Sequence, residues 1–243
     1  MADLEVLRKF KDDYRLYFRK CLKIRDKNSN IIEFVLNSSQ EKLIQIIEDW
    51  RKQYPDPKTR PTLYIIILKA RQLGFSTATE AIFFHDIQFA FNKVAMVISY
   101  DADSASNIND MSNRFYQYLP QAIKPQRRKS VGKGIFLENP NFDSSKPTTA
   151  KNDPGLQSKF LIETANNMNA GSSYTINFLR ISELAKWEKP ETTMASIMQA
   201  VPDKNAIVIV ESTAMGMNYF SELWDAAISK KNNYIPIFVA SLS

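Results

Sequence analysis

Leu63-Tyr64-Ile65-Ile66-Ile67-Leu68-Lys69-Ala70-Arg71-Gln72-Leu73-Gly74-Phe75-Ser76-Thr77 opens with six apolar residues, three of them isoleucine. Such a run suits a strand buried on both faces. A short polar loop with one glycine follows, and Ser76-Thr77 heads a segment with helical period. Strand, tight loop and helix N-terminus together form a phosphate site, because unpaired backbone N–H groups and the helix dipole converge on one point. On the pattern G-x-x-x-x-G-K-[ST], the second glycine is Gly74 and the hydroxyl is Ser76, but Lys69 stands in place of the first glycine and Phe75 in place of the lysine.

Beyond this stretch, 243 residues with 44% hydrophobic and 24% charged content describe an ordinary globular chain with one substantial core. Its apolar runs are of strand length, so no membrane span is expected, and the charged N-terminus does not read as a secretory signal. The single cysteine, Cys21, has no internal disulfide partner. A net charge of +6 is a modest bias towards polyanionic partners.

Periodicity places the elements. Residues 3–22 read as one amphipathic helix with the stripe Leu7, Phe10, Tyr14, Tyr17 and Cys21, packed on the core or on a partner subunit. Ser38 and Glu41 are spaced as a capping box for a helix running to about Arg51, which Pro55-Asp56-Pro57 ends. Thr77 to Asn92 is helical, with Ala81, Phe84, Ile87 and Phe91 on one side; a strand follows at 94–99. Asp101 caps a helix to about Leu119 that buries Ala105, Ile108, Met111, Phe115 and Leu119. Strand–helix–strand–helix predicts a parallel sheet with crossover helices. Residues 120–159 are less organised, with a basic cluster (Lys124, Arg127, Arg128, Lys129 and Lys133) and a hairpin near Ile135-Phe136-Leu137. Further strands are expected at 160–164, 176–181, 206–210 and 235–240, with helices near 192–200 and 217–229. One α/β domain with at least five sheet strands accounts for the chain.

A nucleotide hydrolase needs a phosphate cradle, a cation, a metal ligand and a group that orients water. Ala70 to Ser76 form the expected cradle, and the Ser76 hydroxyl is the expected Mg²⁺ ligand. Lys69 can reach across the loop from its strand end, and Arg71 adds a second positive charge within it. Glu183 follows the strand Ile176 to Ile181 and suits water activation, since ligands bind outside the carboxyl ends of parallel strands. Ser182 stands where an Asp is usual, so metal contact there is weak or runs through water. Ile207-Val208-Ile209-Val210 runs into Glu211-Ser212-Thr213-Ala214, whose hydroxyls can report on a γ-phosphate. His85, the only histidine, falls inside a helix and allows no histidine-based metal site or triad.

In this order, the three segments resemble the N-terminal ATPase domain of the large terminase subunit of tailed bacteriophages. Residues 69–77 are similar to that family's loop variant with the lysine moved to the start; 181–187 resemble its Walker B segment and 211–220 its coupling segment. Leu36 to Gln40 resemble its adenine-contacting glutamine motif, which singles out Gln40. The resemblance implies an α/β P-loop NTPase of the additional-strand type, with a central, mainly parallel sheet flanked by helices. Residues 1–60 would be a helical and adenine-motif segment of the same domain, and 61–243 the ATPase core. It also implies ATP and Mg²⁺ as cofactors. The implied ATP-binding residues are Gln40, Lys69, Ala70, Arg71, Gln72, Leu73, Gly74, Phe75, Ser76 and Thr77; Glu183, Lys69 and Arg71 are the catalytic group, and Ser212, Thr213 and Ala214 the coupling group.

The partners implied are double-stranded DNA, the portal protein, the small terminase subunit and further copies in a ring on the prohead, in the cytoplasm of an infected bacterium. Lys124, Arg127, Arg128 and Lys129 are candidates for DNA phosphates, and Arg114, Arg127, Arg128 and Arg180 for an arginine acting between subunits. The family's nuclease domain would begin where this chain ends, so no DNA cleavage is expected. The competing expectation is a nucleotide-binding assembly module whose altered loop no longer hydrolyses. A two-domain helicase needs more chain than this.

Overall fold

The computed structural model describes residues 4–70, 74–128, 134–141, 153–167 and 173–239. Near the N-terminus, two helices replace the single one expected: α1 (Leu4–Asp12) and α2 (Tyr14–Cys21). The break is local chemistry. Asp13 takes an extended conformation, and its carboxylate accepts the Leu16 N–H at 3.0 Å, capping α2. A two-stranded ribbon follows, β1 (Lys23–Arg25) antiparallel to β2 (Ile31–Glu33).

Helix α3 (Ser38–Gln53) starts one residue earlier than the Ser38/Glu41 spacing suggests. Asn37 is the cap, its side chain accepting from Ser39 and Gln40, and the Gln40 amide oxygen accepts the Asn37 N–H in return. Asn is as good a cap as Ser, and Gln is a regular closing residue of the box. Strand β3 (Leu63–Lys69) leads to α4 (Phe75–Gln88), β4 (Val94–Ser99) and α5 (Ala102–Tyr118). Asp101 caps α5 as expected, accepting the Ser104 N–H at 2.7 Å. Strands β5 (Gly134–Glu138), β6 (Gly155–Thr164) and β7 (Phe178–Ser182) follow, then α6 (Pro190–Met198), β8 (Ile207–Ser212), α7 (Tyr219–Ile228) and β9 (Tyr234–Val239).

Seven strands form one mixed, mostly parallel sheet in the order β5-β6-β4-β7-β8-β3-β9. Parallel pairing joins β3 to both β8 and β9, and β7 to β8. Backbone bonds from Lys159 to Lys93 and from Ala165 to Ser99 advance six residues on each strand, so β4 and β6 also run parallel. Strand β5 pairs with β6 antiparallel at one edge. Strand β8 sits between the strand that carries the glycine loop and the strand that leads to Glu183, which is the additional-strand arrangement.

The chain divides into two compact units, each built from three stretches. One comprises 1–36, 80–95 and 106–161; the other comprises 37–79, 96–105 and 162–243. In the first, the stripe of α2 packs on α4: the Tyr14 hydroxyl donates to Asp86 at 2.7 Å and the Tyr17 hydroxyl to Gln88. His85 is buried beside them, its Nε2–H donating to the Phe10 carbonyl at 2.9 Å and Nδ1 facing Asp86 at 3.0 Å. The predicted one-sided stripe of α4 is too narrow, because every residue from Ala78 to Gln88 is buried. Phe91 lies past the helix end and is exposed, and Met111 on α5 is only half-buried. The second unit holds β3, β7, β8 and β9 with α3, α6 and α7. Among the described residues, no helix is long and apolar enough to cross a membrane.

Candidate active site

All the residues of the site belong to the second unit. Side chains two apart on a strand share a face, and register partners in parallel strands share it too. Ser182 is the partner of Glu211, and Glu211 is the partner of Ile67. Lys69, Glu211, Ser182 and Arg180 therefore project from one face of the sheet, at the carboxyl ends of three adjacent strands.

Glu211 is the centre of this group. Its side chain is 0% exposed, and that of Arg180 is 1% exposed. The guanidinium places both Nε, at 3.1 Å, and Nη2 on a single oxygen, Oε1. The Ser76 hydroxyl donates to the same Oε1 at 3.1 Å, and the Ser182 hydroxyl approaches it at 3.4 Å. The other oxygen, Oε2, faces the Lys69 ammonium at 3.2 Å, and no well-aligned hydrogen bond reaches it from the described residues. Burial alone would raise the carboxyl pKa, but Arg180 and Lys69 outweigh it and bring it down to about 2.

Lys69 spans the loop: its ammonium donates to the Ser76 hydroxyl at 3.4 Å and lies 3.8 Å from Glu183. Ser76 is in the first turn of α4, where an anion would meet free N–H groups. Phe75, in the usual lysine position, is 1% exposed and packs into the core, so its side chain anchors the loop and carries no charge to a phosphate. Ala70 departs from the expected cradle, because its N–H donates to the Val239 carbonyl of β9. Gly74 has φ +71, a left-handed conformation in which a side chain is strained. The Gln40 amide donates to the Gly74 carbonyl at 2.8 Å, so this glutamine ties the α3 cap to the loop. Arg71, Gln72 and Leu73 lie outside the described residues.

Glu183 takes φ +53 and ψ +45, the left-handed region, at the cap of a 3₁₀ turn over Leu184–Lys186. A non-glycine residue held there costs about 1–3 kcal/mol and is over-represented at functional sites. The turn is pinned by the Trp187 indole N–H donating to the Ser182 carbonyl at 3.0 Å. Thr213 donates to Glu183 Oε2 at 3.4 Å, Lys186 lies 3.6 Å from the same oxygen, and the Ala185 N–H donates to the Ser212 hydroxyl. Ser212 and Thr213 thus touch the Glu183 segment directly, whereas Ala214 is exposed.

No protein-family model matches the chain, and no curated protein does. Solved structures do. The large terminase of bacteriophage HK97 superposes with a TM-score of 0.67 at 12% identity, over 94% of this chain and 43% of that one. The large terminase of a thermophilic bacteriophage gives 0.57 at 11% identity, over 84% and 46%. The large terminase ATPase domain of Thermus phage P74-26 gives 0.52 at 14%, over 73% and 76%. The fold is that of a large-terminase ATPase domain. The chain spans less than half the length of the first two of these terminases.

Within the terminase ATPase fold, two sequence expectations change. Arg180 is no candidate for reaching a neighbouring subunit, because it is buried and committed to Glu211. The basic cluster is partly spent internally. Arg128 pairs with Glu138 at 2.7 Å, while Lys124 and Arg127 lie over the Tyr116 ring. Lys129 and Lys133 lie outside the described residues. Glu211 is a site residue that the sequence reading does not single out, although a signal exists: one Arg and one Glu, each in an apolar strand, must find opposite charge once buried. A cavity of about 330 Å³ lined by Tyr100, Asp101, Trp187 and Lys189, among others, holds none of these site residues.

Among the described residues, no three His, Cys, Asp or Glu side chains converge as a metal cluster. The donors on offer are the hydroxyls of Ser76 and Ser182 and the carboxylate of Glu211, all oxygen. That set fits a hard cation such as Mg²⁺ completed by phosphate oxygens and water.

Proposed function

We propose that this domain is the ATPase motor of a viral DNA-packaging machine, hydrolysing Mg-ATP to move double-stranded DNA into a prohead. The observation that carries the reading is the convergence of Lys69, Ser76, Glu183 and Glu211 at the carboxyl ends of β3, β7 and β8. Bound Mg-ATP would supply the phosphoryl group and the metal charge that neutralises it.

The chain's own residues divide the remaining work. Lys69, at a strand end and within reach of two carboxylates, is the cation that turns to the phosphates. Arg71 is the second such charge. Ser76 offers its hydroxyl oxygen to the metal, with Ser182 behind it through water. The Glu183 carboxylate orients the attacking water and receives its proton on Oε1, the oxygen that Lys69 leaves, while Thr213 and Lys186 hold Oε2. Thr213 and Ser212, bonded to the Glu183 segment, feel any movement of that carboxylate and pass it along β8. Gln40 holds Gly74 and with it the loop. Lys124 and Arg127 are the described members of the basic cluster best placed for DNA phosphates.

The portal protein, the small terminase subunit and further copies of this chain in a ring are the partners of the same proposal. Its setting is the cytoplasm of the infected host. A non-hydrolysing nucleotide-binding module is the second reading, favoured by the ion pairs that hold Glu183 to Lys69 and Lys186.

Turnover of Mg-ATP, measured at high protein concentration with and without DNA, separates the two. Glu183→Gln should keep nucleotide affinity and lose roughly 10²–10⁴ in rate, the range for a removed general base. Lys69→Ala should lose both binding and turnover. Equal turnover in Glu183→Gln and the parent would overturn the role of Glu183, and no turnover in the parent would favour the module.

A further inference from the structure

We infer that Glu211, on the inserted strand β8, supplies the metal-linked acid that Ser182 cannot, so that the acidic half of the Mg²⁺ site has moved sideways by one strand. The inference rests on the nucleotide reading above.

Three observations support the shift. Ser182 and Glu211 are direct register partners on adjacent parallel strands, so a carboxylate at either position projects from the same face at the same height. Glu211 Oε1 already accepts the hydroxyl of Ser76, the residue that the loop offers to a metal, and lies 3.4 Å from the Ser182 hydroxyl. Its Oε2 is fully buried, faces into the site and, among the described residues, has the Lys69 ammonium against it without a well-aligned hydrogen bond.

Charge balance then links the two ends of the loop. Arg180 stays on Oε1, because it is buried and has Ser182 as a further acceptor at 3.3 Å. Lys69 is different, since it is tethered at a strand end beside the loop. If Lys69 turns to phosphate, Oε2 loses the cation that faces it and is left a buried oxygen without a hydrogen bond, although Arg180 still balances the carboxylate's charge from Oε1. A divalent ion, directly or through its water, takes the place of Lys69 as the partner of that oxygen. The inserted strand thus provides a carboxylate that holds Lys69 before the nucleotide arrives and a metal afterwards.

The test is the Mg²⁺ dissociation constant of protein saturated with a non-hydrolysable ATP analogue, read by titration calorimetry and by Mn²⁺ paramagnetic resonance. Glu211→Gln should weaken the metal about 10–100-fold, the range for groups that support a metal site. That variant also leaves Arg180 without its anion, so a second one guards against loss of fold. Ser182→Asp/Glu211→Gln moves the carboxylate to the paired position while keeping it beside Arg180, and should recover parental metal affinity. Unchanged metal affinity in Glu211→Gln, or a folded double variant that stays weak, overturns the inference and leaves the ATPase reading intact. If the parent binds no analogue with or without Mg²⁺, the ATPase reading fails and takes this inference with it.

Discussion

Arg180 and Glu211 show what a buried charge demands. Each sits in an otherwise apolar strand, and neither could be desolvated without the other. Arg180→Met should destabilise the fold by about 3–5 kcal/mol in urea unfolding at neutral pH, because it strips a buried carboxylate of its main partner. The pH dependence follows in sign. The folded carboxyl titrates at about 2, below its ordinary value of 4.5, so its contribution is fully present above 4.5 and is lost as pH falls towards 2. Unfolding free energies measured from pH 7 to pH 3 should decline in that window for the parent, and less steeply for Arg180→Met. Equal slopes would mean that Arg180 does not set the carboxyl's acidity.

At the level of elements, the loop is held by a helix from outside it. Gln40 closes the cap of α3 through its amide oxygen and grips the Gly74 carbonyl through its amide nitrogen. A Cβ on Gly74 would meet that nitrogen at 2.6 Å, on a backbone that already disfavours side chains. Gln40→Ala should cost about 1–2 kcal/mol through the lost cap and hydrogen bond, and should raise hydrogen exchange in both the first turn of α3 and the loop. Protection lost in α3 alone would show that the two elements are not linked through this side chain. Much of this level was legible in the sequence: the strand, the glycine and the helix start of 63–77 are short-range patterns. The cap moved by one residue because Asn37 competes equally with Ser38 for the role. Asp13 divided the first helix for the same kind of reason.

For the molecule as a whole, the net charge is +6, and part of the basic cluster is engaged internally. Of the basic cluster, Arg128 pairs with Glu138, Lys124 and Arg127 lie over the Tyr116 ring, and Lys124 also donates to the Gln117 carbonyl. On the packaging proposal, binding to double-stranded DNA should be sequence-independent and salt-sensitive, the slope of log affinity against log salt being about −0.9 per phosphate neutralised. Lys124→Ala/Arg127→Ala should flatten that slope by roughly 1.8 if each meets one phosphate. An unchanged slope, measured by fluorescence anisotropy across salt concentrations, would move the DNA contact elsewhere on the surface.

Residue order alone carries the α/β class, the glycine loop and the succession of the motif segments, because each is written in residues within about ten positions of one another. It also carries the reach of Lys69 to Ser76, since a side chain at a strand end can cross a short loop. Strand order is a product of three-dimensional packing. Which strand lies beside which depends on how crossover helices pack, and no local pattern records it. Inserting β8 between β3 and β7 is what brought Glu211 against Ser76, Ser182 and Lys69. The same packing removed Arg180 from the surface and turned Phe75 into the core. A carboxylate missing from one strand can be met by its neighbour, because in a parallel sheet register partners face the same way.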